Sequence, residues 1–392
     1  MVSDGVSTLR PSMPVQLDLF SGEPDTAACI LPDGLFKEDG AAWSPSPSIH
    51  YAASSDNSSI VVSGYGVSLS KKSERVVFKE NGKAVCEVPF FRISEISIQS
   101  RGVSVSSDVI EELCLRGIRL NFLSFSGKPY AVITSPFLSA TVQTRRKQLA
   151  AFSDERGGTL SVKIVSGKIR NQYRLLKYAS KNFSLDDSDR LAKITKACAD
   201  LEAIAEMVSS VSPVQVDVLR NVLLGYEGSA ARIYWDAFGT LISGRQEFFG
   251  REYRVSHDIV NSLLNYGYGM LYAQVWGAAM NAGLEPFAGY LHVDRPGKPS
   301  LILDMVEEFR APVIDRVVIA FINRGEDFTL EHGLLPARIR KRFSEKVLER
   351  FEACEPYRGK KYQLKSIIQM QARRLASWLN GSGDYAAFAF KW

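Results

Sequence analysis

The chain predicts an α+β fold, with a disordered tail, a small N-terminal β domain and a larger all-α domain. Three observations predict it. Residues 1–57 are rich in Ser, Pro, Ala, Asp and Gly and contain Ser44-Pro-Ser-Pro-Ser48, a composition that cannot bury enough apolar surface to order itself. Residues 58–136 have strand composition broken by turn residues. Residues 137–392 repeat apolar side chains with the helical period. A chain of 392 residues, 45% hydrophobic and 23% charged, is long enough for two cores and has an ordinary globular composition.

In the β part, residues 75–79 and 83–88 flank Asn81-Gly82. That dipeptide tolerates the positive φ angles of a tight turn, so a hairpin is expected. Residues 93–98 follow as a strand. Residues 107–115 read as a short helix that starts on a Ser/Asp cap and stops at Gly117. Residues 118–123 and 130–133, separated by Ser126-Gly-Lys-Pro129, make a second hairpin. Helices are expected at 138–152, 160–181, 190–209, 214–243, 258–282, 301–320, 337–353 and 361–379, with Gly244, Gly283 and Gly325 as stops. No internal repeat is visible.

No apolar run approaches the length of a bilayer span, and the N-terminus lacks a basic region followed by an apolar stretch. These features place the chain in the cytoplasm, with no membrane partner. Five scattered cysteines argue against a zinc site or a disulfide framework. The net charge is only +5, but its distribution is uneven. Residues 141–181 hold ten basic residues, among them Arg145, Arg146, Lys147, Lys168 and Arg170, against Asp154 and Glu155. Positions 338–374 hold twelve more. Each run alone is a solvated helix face. Two runs flanking a candidate metal site point to phosphate neutralisation and a nucleic acid.

The candidate site comprises Glu227, His292 and Glu307. Two carboxylates and an imidazole form a hard, mixed donor set suited to Mg²⁺ or Mn²⁺, the ions that phosphodiester chemistry uses. Glu227 lies in an apolar helical stretch, as a solvated position or as a buried group in need of a partner. Arg232, five residues on, is too far round the helix to pair with it. Small neighbours, Gly228 to Ala231, would let a phosphate approach closely. His292 leaves an apolar run for the turn Asp294-Arg-Pro-Gly297. Asp304 and Glu307 are spaced i,i+3 and should project to one side of a helix, with Arg310 three residues beyond. Such a pair either brackets a cation or is a solvated acidic turn.

Tyr226-Glu-Gly-Ser-Ala-Ala-Arg-Ile-Tyr-Trp235, Val260-Asn-Ser-Leu-Leu-Asn-Tyr-Gly-Tyr268, Gly289-Tyr-Leu-His-Val-Asp-Arg-Pro-Gly297 and Leu303-Asp-Met-Val-Glu-Glu-Phe-Arg310, with Asp315 beyond, occur in this order. Ser68-Leu-Ser-Lys-Lys72 and Lys168-Ile-Arg-Asn-Gln172 precede them. Together they resemble the CRISPR-associated integrase-endonuclease, the larger of two proteins that insert spacers, over about residues 60–374. The resemblance implies metal ligands at Glu227, His292 and Glu307. It implies Asp304 as a supporting carboxylate and Arg310 near the DNA. The further DNA-contact candidates are Arg232, Arg145, Arg146, Lys147, Lys168 and Arg170. It implies a homodimer that works with a small ferredoxin-like partner on double-stranded DNA, both incoming spacer and leader-repeat. Its chemistry is attack of a free 3′-OH on a repeat phosphate, with activity falling at acidic pH as the histidine protonates. The competing readings are a metal-dependent nuclease for branched or repair DNA and a non-catalytic DNA scaffold. The resemblance does not account for the tail. There, Gln16-Leu-Asp-Leu-Phe20 resembles the pentapeptide that binds bacterial sliding clamps. Leu17, Leu19 and Phe20 would fill an apolar pocket and Gln16 would anchor them. The alternative is a tail segment folded back on the β domain.

Overall fold

A computed structural model describes residues 49–391 except 54–57, 63, 125–128, 136–140, 184–186, 243–245, 247, 253–257, 325–327 and 331–333. The first part of the chain forms β1 (Ile49–Ala53), β2 (Ser58–Val62), β3 (Val67–Lys72), β4 (Arg75–Glu80), β5 (Lys83–Pro89), β6 (Ile93–Ile98), β7 (Ser104–Val105), α1 (Ser107–Leu115), β8 (Arg119–Leu123) and β9 (Pro129–Ile133). They make two sheets, ordered β1-β2-β6-β8-β9 and β5-β4-β3-β7. The expected hairpin is β4–β5, and its turn uses the positive φ angles of Asn81 (51°) and Gly82 (80°). β8 and β9 pair antiparallel as the second hairpin. Val62, Phe78, Val88, Phe90, Ile96 and Leu120 bury themselves in one core. Val109 and Leu113, four residues apart on α1, join it.

One boundary differs from the compositional reading. β1 falls within the stretch assigned to the tail, and its five residues pair antiparallel with β2. A short Ile-His-Tyr-Ala-Ala run has little strand signal of its own, but the open edge of β2 offers it a full ladder of backbone partners.

The helical part comprises α2 (Thr141–Ala150), α3 (Glu155–Ala179), α4 (Ser188–Ser209), α5 (Val216–Leu241), α6 (Ile259–Asn281), α7 (Ser300–Val306), α8 (Arg316–Asn323), α9 (Ala337–Glu352) and α10 (Leu364–Leu379). α3 is its spine, packed against α4 and α5. Asp154 caps it, accepting from the Arg156 amide at 2.9 Å. This domain also holds a small hairpin, β10 (Cys354–Tyr357) with β11 (Lys360–Gln363), where only helix was expected. Arg358 and Gly359 make its turn at positive φ.

The helix expected over 301–320 is interrupted. α7 ends at Val306, a turn follows, residues 310–315 wind as a π-helix and α8 resumes the α-helix. Pro312 explains the break: it has no amide to donate and its ring crowds the preceding turn. After α10, residues 382–391 run without helix or strand against α3. Lys163 donates to the Tyr385 carbonyl at 2.8 Å and Arg174 to that of Phe390 at 3.1 Å. No helix among the described residues is long and apolar enough to cross a membrane.

Candidate active site

Three elements bring opposite charges to one point. α3 presents Lys168, α5 presents Glu227 and the turn after α7 presents Glu307. The Lys168 ammonium touches both carboxylates: it pairs with Glu227 Oε1 and lies 2.7 Å from Glu307 Oε2. Glu307 is 3% exposed, Lys168 12% and Glu227 15%. Arg310 approaches Glu307 Oε1 at 3.2 Å and lies 4.7 Å over the Tyr268 ring. Burial pushes the Glu307 carboxyl up, but Arg310, Lys168 and His292 together outweigh burial and hold it down at about 2. Burial works against the Lys168 charge as well, and Glu307 and Glu227 more than reverse it, raising its pKa.

His292 and Asp304 form a second unit. Asp304 is fully buried. Its Oδ2 accepts from the backbone amides of Tyr290 (2.7 Å) and Leu291 (3.1 Å). Its Oδ1 accepts from the amide of His292 (3.0 Å) and lies 2.7 Å from His292 Nδ1. Gly289 permits this wrapping, because an added Cβ would lie 2.8 Å from Asp304 Oδ2 and 2.4 Å from the Ser300 carbonyl carbon. Asp304 and Glu307, which the i,i+3 spacing read as either bracketing a cation or forming a solvated acidic turn, take separate partners. Asp304 turns back on the 289–292 segment and orients the imidazole, so Nδ1 is engaged and Nε2 is the nitrogen left for a ligand.

Two further carboxylates are buried nearby with neutral donors. Asp315 accepts from Tyr234 (2.7 Å) and Tyr268 (2.5 Å). Glu308 accepts from the Tyr385 hydroxyl, the Phe388 amide (2.7 Å) and Gln371 Nε2 (2.7 Å). Burial raises the pKa of both. Sequence reasoning did not assign Glu308 a role. Its signal was the adjacent acidic pair in an apolar run, which reads equally well as solvated charge.

The basic residues divide by partner. Lys168 and Arg310, expected on DNA, sit inside the site against carboxylates. Lys147 donates to the Asn380 carbonyl at 2.7 Å, Arg170 to Ser209 Oγ at 3.1 Å, and Arg145 lies 3.7 Å from Glu285. Arg146 and Arg232 are exposed. Gln16, Leu17, Leu19 and Phe20 lie outside the described residues.

Among the described residues, no three His, Cys, Asp or Glu side chains stand close enough to enclose a metal ion as placed. The donor chemistry nevertheless fits a hard divalent cation. Two carboxylates from separate elements already converge on one positive centre. Glu307 Oε2 is buried and, despite its ion pair, accepts no aligned hydrogen bond. His292 adds a nitrogen held in orientation from behind.

Comparison with known proteins bears on this geometry. A family model described as CRISPR associated protein Cas1 matches residues 60–353. The chain is 36% identical over 337 residues to a CRISPR-associated endonuclease Cas1 of Francisella tularensis subsp. novicida, covering 85% of this chain and 99% of that one. It is 33% identical over 345 residues to another of Archaeoglobus fulgidus, with the same shares covered. Among solved structures, a casposase bound to integration product shares the fold (TM-score 0.67, 22% identity, 84% of this chain and 92% of that one). So does a chain of a Cas6-RT-Cas1–Cas2 complex (TM-score 0.67, 20% identity, 88% of this chain and 38% of that one).

Proposed function

Because the chain belongs to the Cas1 family of CRISPR-associated proteins, we propose that it is a divalent-metal-dependent DNA integrase-endonuclease that joins short DNA to a CRISPR array. The observation that carries this reading is the convergence of Glu227 and Glu307 on one cationic centre, beside an imidazole oriented by Asp304. Relatives named CRISPR-associated endonuclease support it.

Glu227, Glu307 and His292 Nε2 would hold Mg²⁺ or Mn²⁺. When bound, the ion supplies Lewis-acid polarisation of the scissile phosphate and neutralises charge that develops on it. The protein's own groups do the rest. Asp304 fixes the imidazole. Lys168 and Arg310 keep Glu307 ionised and place positive charge beside the phosphate. In the reaction the incoming 3′ oxygen forms a new bond to the phosphorus at the repeat's 5′ end as the bond from that phosphorus to the 3′ oxygen of the flanking array strand breaks. The attacking hydroxyl gives up its proton and the departing oxygen takes one up. No enzyme nucleophile is required. Hydrolysis, the chemistry of the nuclease reading, would use the same residues with water as the attacking group.

The partners under this reading are spacer and leader-repeat DNA, a second copy of the chain and a small ferredoxin-like protein. The solved complex containing Cas1 and Cas2 supports such an assembly. The proposed setting is the cytoplasm. For the tail, Gln16-Leu-Asp-Leu-Phe20 supports docking on the replication sliding clamp. Calorimetry of a 10–25 peptide against the clamp, with a Leu19→Ala, Phe20→Ala control, tests it.

The deciding experiment is strand transfer with the partner protein and a leader-repeat plasmid. Glu227→Ala, His292→Ala and Glu307→Ala should each lose at least about 10²–10³-fold activity while remaining folded. Normal transfer by all three would remove the site assignment.

A further inference from the structure

The strap at residues 385–390 meets the site's supports at three places. First, it holds Glu308, the residue next to Glu307: the Tyr385 hydroxyl and the Phe388 amide both donate to the Glu308 carboxylate. Second, Asn171, one turn beyond Lys168 on α3, joins strap and turn. Its amide nitrogen donates to the carbonyls of Glu308 (2.8 Å) and Phe388 (2.7 Å), and its oxygen accepts from the Phe390 amide (2.9 Å). Third, Phe388 stacks on Phe309 with centroids 5.3 Å apart. The strap also passes so close to Gly167, the residue before Lys168, that a Cβ there would fall 2.4 Å from that of Ala387.

Lys168 and Glu307 therefore each have an immediate neighbour in the grip of the same six residues. The hydrogen bonds of Tyr385 and Phe388 reach Glu308, which is not one of the proposed ligands. We propose that residues 385–390 are a positioning element for the carboxylate pair. They clamp Glu308 and Asn171 and thereby fix where Glu307 and Lys168 stand. Loosening the strap should weaken metal binding without altering any proposed ligand.

The test rests on the proposed metal site, so it carries a readout independent of metal. Gly167→Ala inserts a methyl group against Ala387, and the double variant Gly167→Ala, Ala387→Gly takes one away from the same contact. Ala387→Leu crowds the same contact from the strap's own residue. In the full chain, Mn²⁺ affinity is read by electron paramagnetic resonance and backbone mobility by amide hydrogen exchange. Gly167→Ala and Ala387→Leu should weaken Mn²⁺ binding about 10–100-fold and speed exchange across 303–311. The double variant should restore both. A merely structural strap would loosen 385–390 alone, with affinity and exchange at 303–311 unchanged in both displacing variants, and that result overturns the proposal. Absence of Mn²⁺ binding in the parent protein would reject the metal reading instead. Exchange at 303–311 would then decide, faster exchange supporting the clamp and unchanged exchange overturning it.

Discussion

The two sides of the turn after α7 treat neighbouring carboxylates in opposite ways. Glu307 and Glu308 are both buried. Glu307 faces cations, Lys168 and Arg310, and is held ionised. Glu308 faces a hydroxyl, an amide and a backbone N–H, and burial raises its pKa. The difference teaches how one turn serves two ends. Cations keep a charge available for exchange with another cation, whereas neutral donors consume the carboxylate's bonding capacity and tie the chain together.

The largest expected effect breaks the structural side. Glu308→Ala would strand the Tyr385 hydroxyl and the Phe388 amide, groups that each cost about 1–3 kcal/mol when buried unpaired, while Gln371 Nε2 would keep only its bond to the Ala386 carbonyl. A loss of roughly 3–5 kcal/mol is expected in denaturant unfolding. Glu307→Ala should cost clearly less stability, because Lys168 keeps Glu227, while eliminating strand transfer. If Glu307→Ala proved the more destabilising of the two, the contrast would collapse.

Acid titration probes the same contrast. Glu307 has a folded-state value of about 2 against an ordinary 4.5. On acidification the unfolded chain binds this proton first, so Glu307 contributes fully above about 4.5 and its contribution is lost down to about 2. Glu308 and Asp315 run the other way. Their raised values favour the protonated form in the fold, so acidification relieves their cost. In metal-free protein, the stability gap between wild type and Glu307→Gln should be flat above pH 5 and narrow toward pH 2. A gap that widens in acid would contradict the assigned surroundings.

Next in size is Asp304→Asn. The amide keeps the shape but presents only one oxygen to three backbone donors and His292 Nδ1. Mn²⁺ affinity should fall about 10–100-fold, as isothermal titration would report. Unchanged affinity would mean that His292 needs no orienting partner.

Much of this was legible in the sequence where local chemistry decides. Asn81-Gly82 specified its turn, and the helical period located α3 to α6. Glu227, Glu307 and His292 stood out in the sequence as candidates because such polar groups are unusual in apolar stretches, and Glu227 and Glu307 do meet, at Lys168. What was not legible depends on partners far along the chain. Asp304 reads like Glu307 at i,i+3 spacing, and only the approach of residues 289–292 turns it toward His292. Glu308 reads as surface charge until a segment about 80 residues away supplies its donors. Lys168 reads as one more basic residue of α3 until α5 and the α7 turn converge on it. β1 had no signal of its own because the edge of β2 creates the pairing.

The smallest expected effect separates cations with protein partners from those facing solvent. Lys168 and Arg310 are engaged with carboxylates, and Lys147 with a backbone carbonyl. Arg146 and Arg232 are exposed. Being exposed, Arg146 and Arg232 can meet phosphate, whereas Lys168, Arg310 and Lys147 would first have to break a bond within the protein. Arg146→Ala and Arg232→Ala should each change stability by less than about 0.5 kcal/mol. If each contacts one phosphate, each should reduce the slope of log affinity against log salt by about 0.9 for duplex DNA. Lys147→Ala should instead cost stability, because it leaves the Asn380 carbonyl without its donor, and should leave the salt slope nearly unaltered. Filter binding across a salt series, alongside thermal unfolding, distinguishes the two classes. If Lys147 lowered the slope as much as Arg146, the internal bond to Asn380 would be one that DNA readily displaces, and sorting cations by their partners would lose its predictive value.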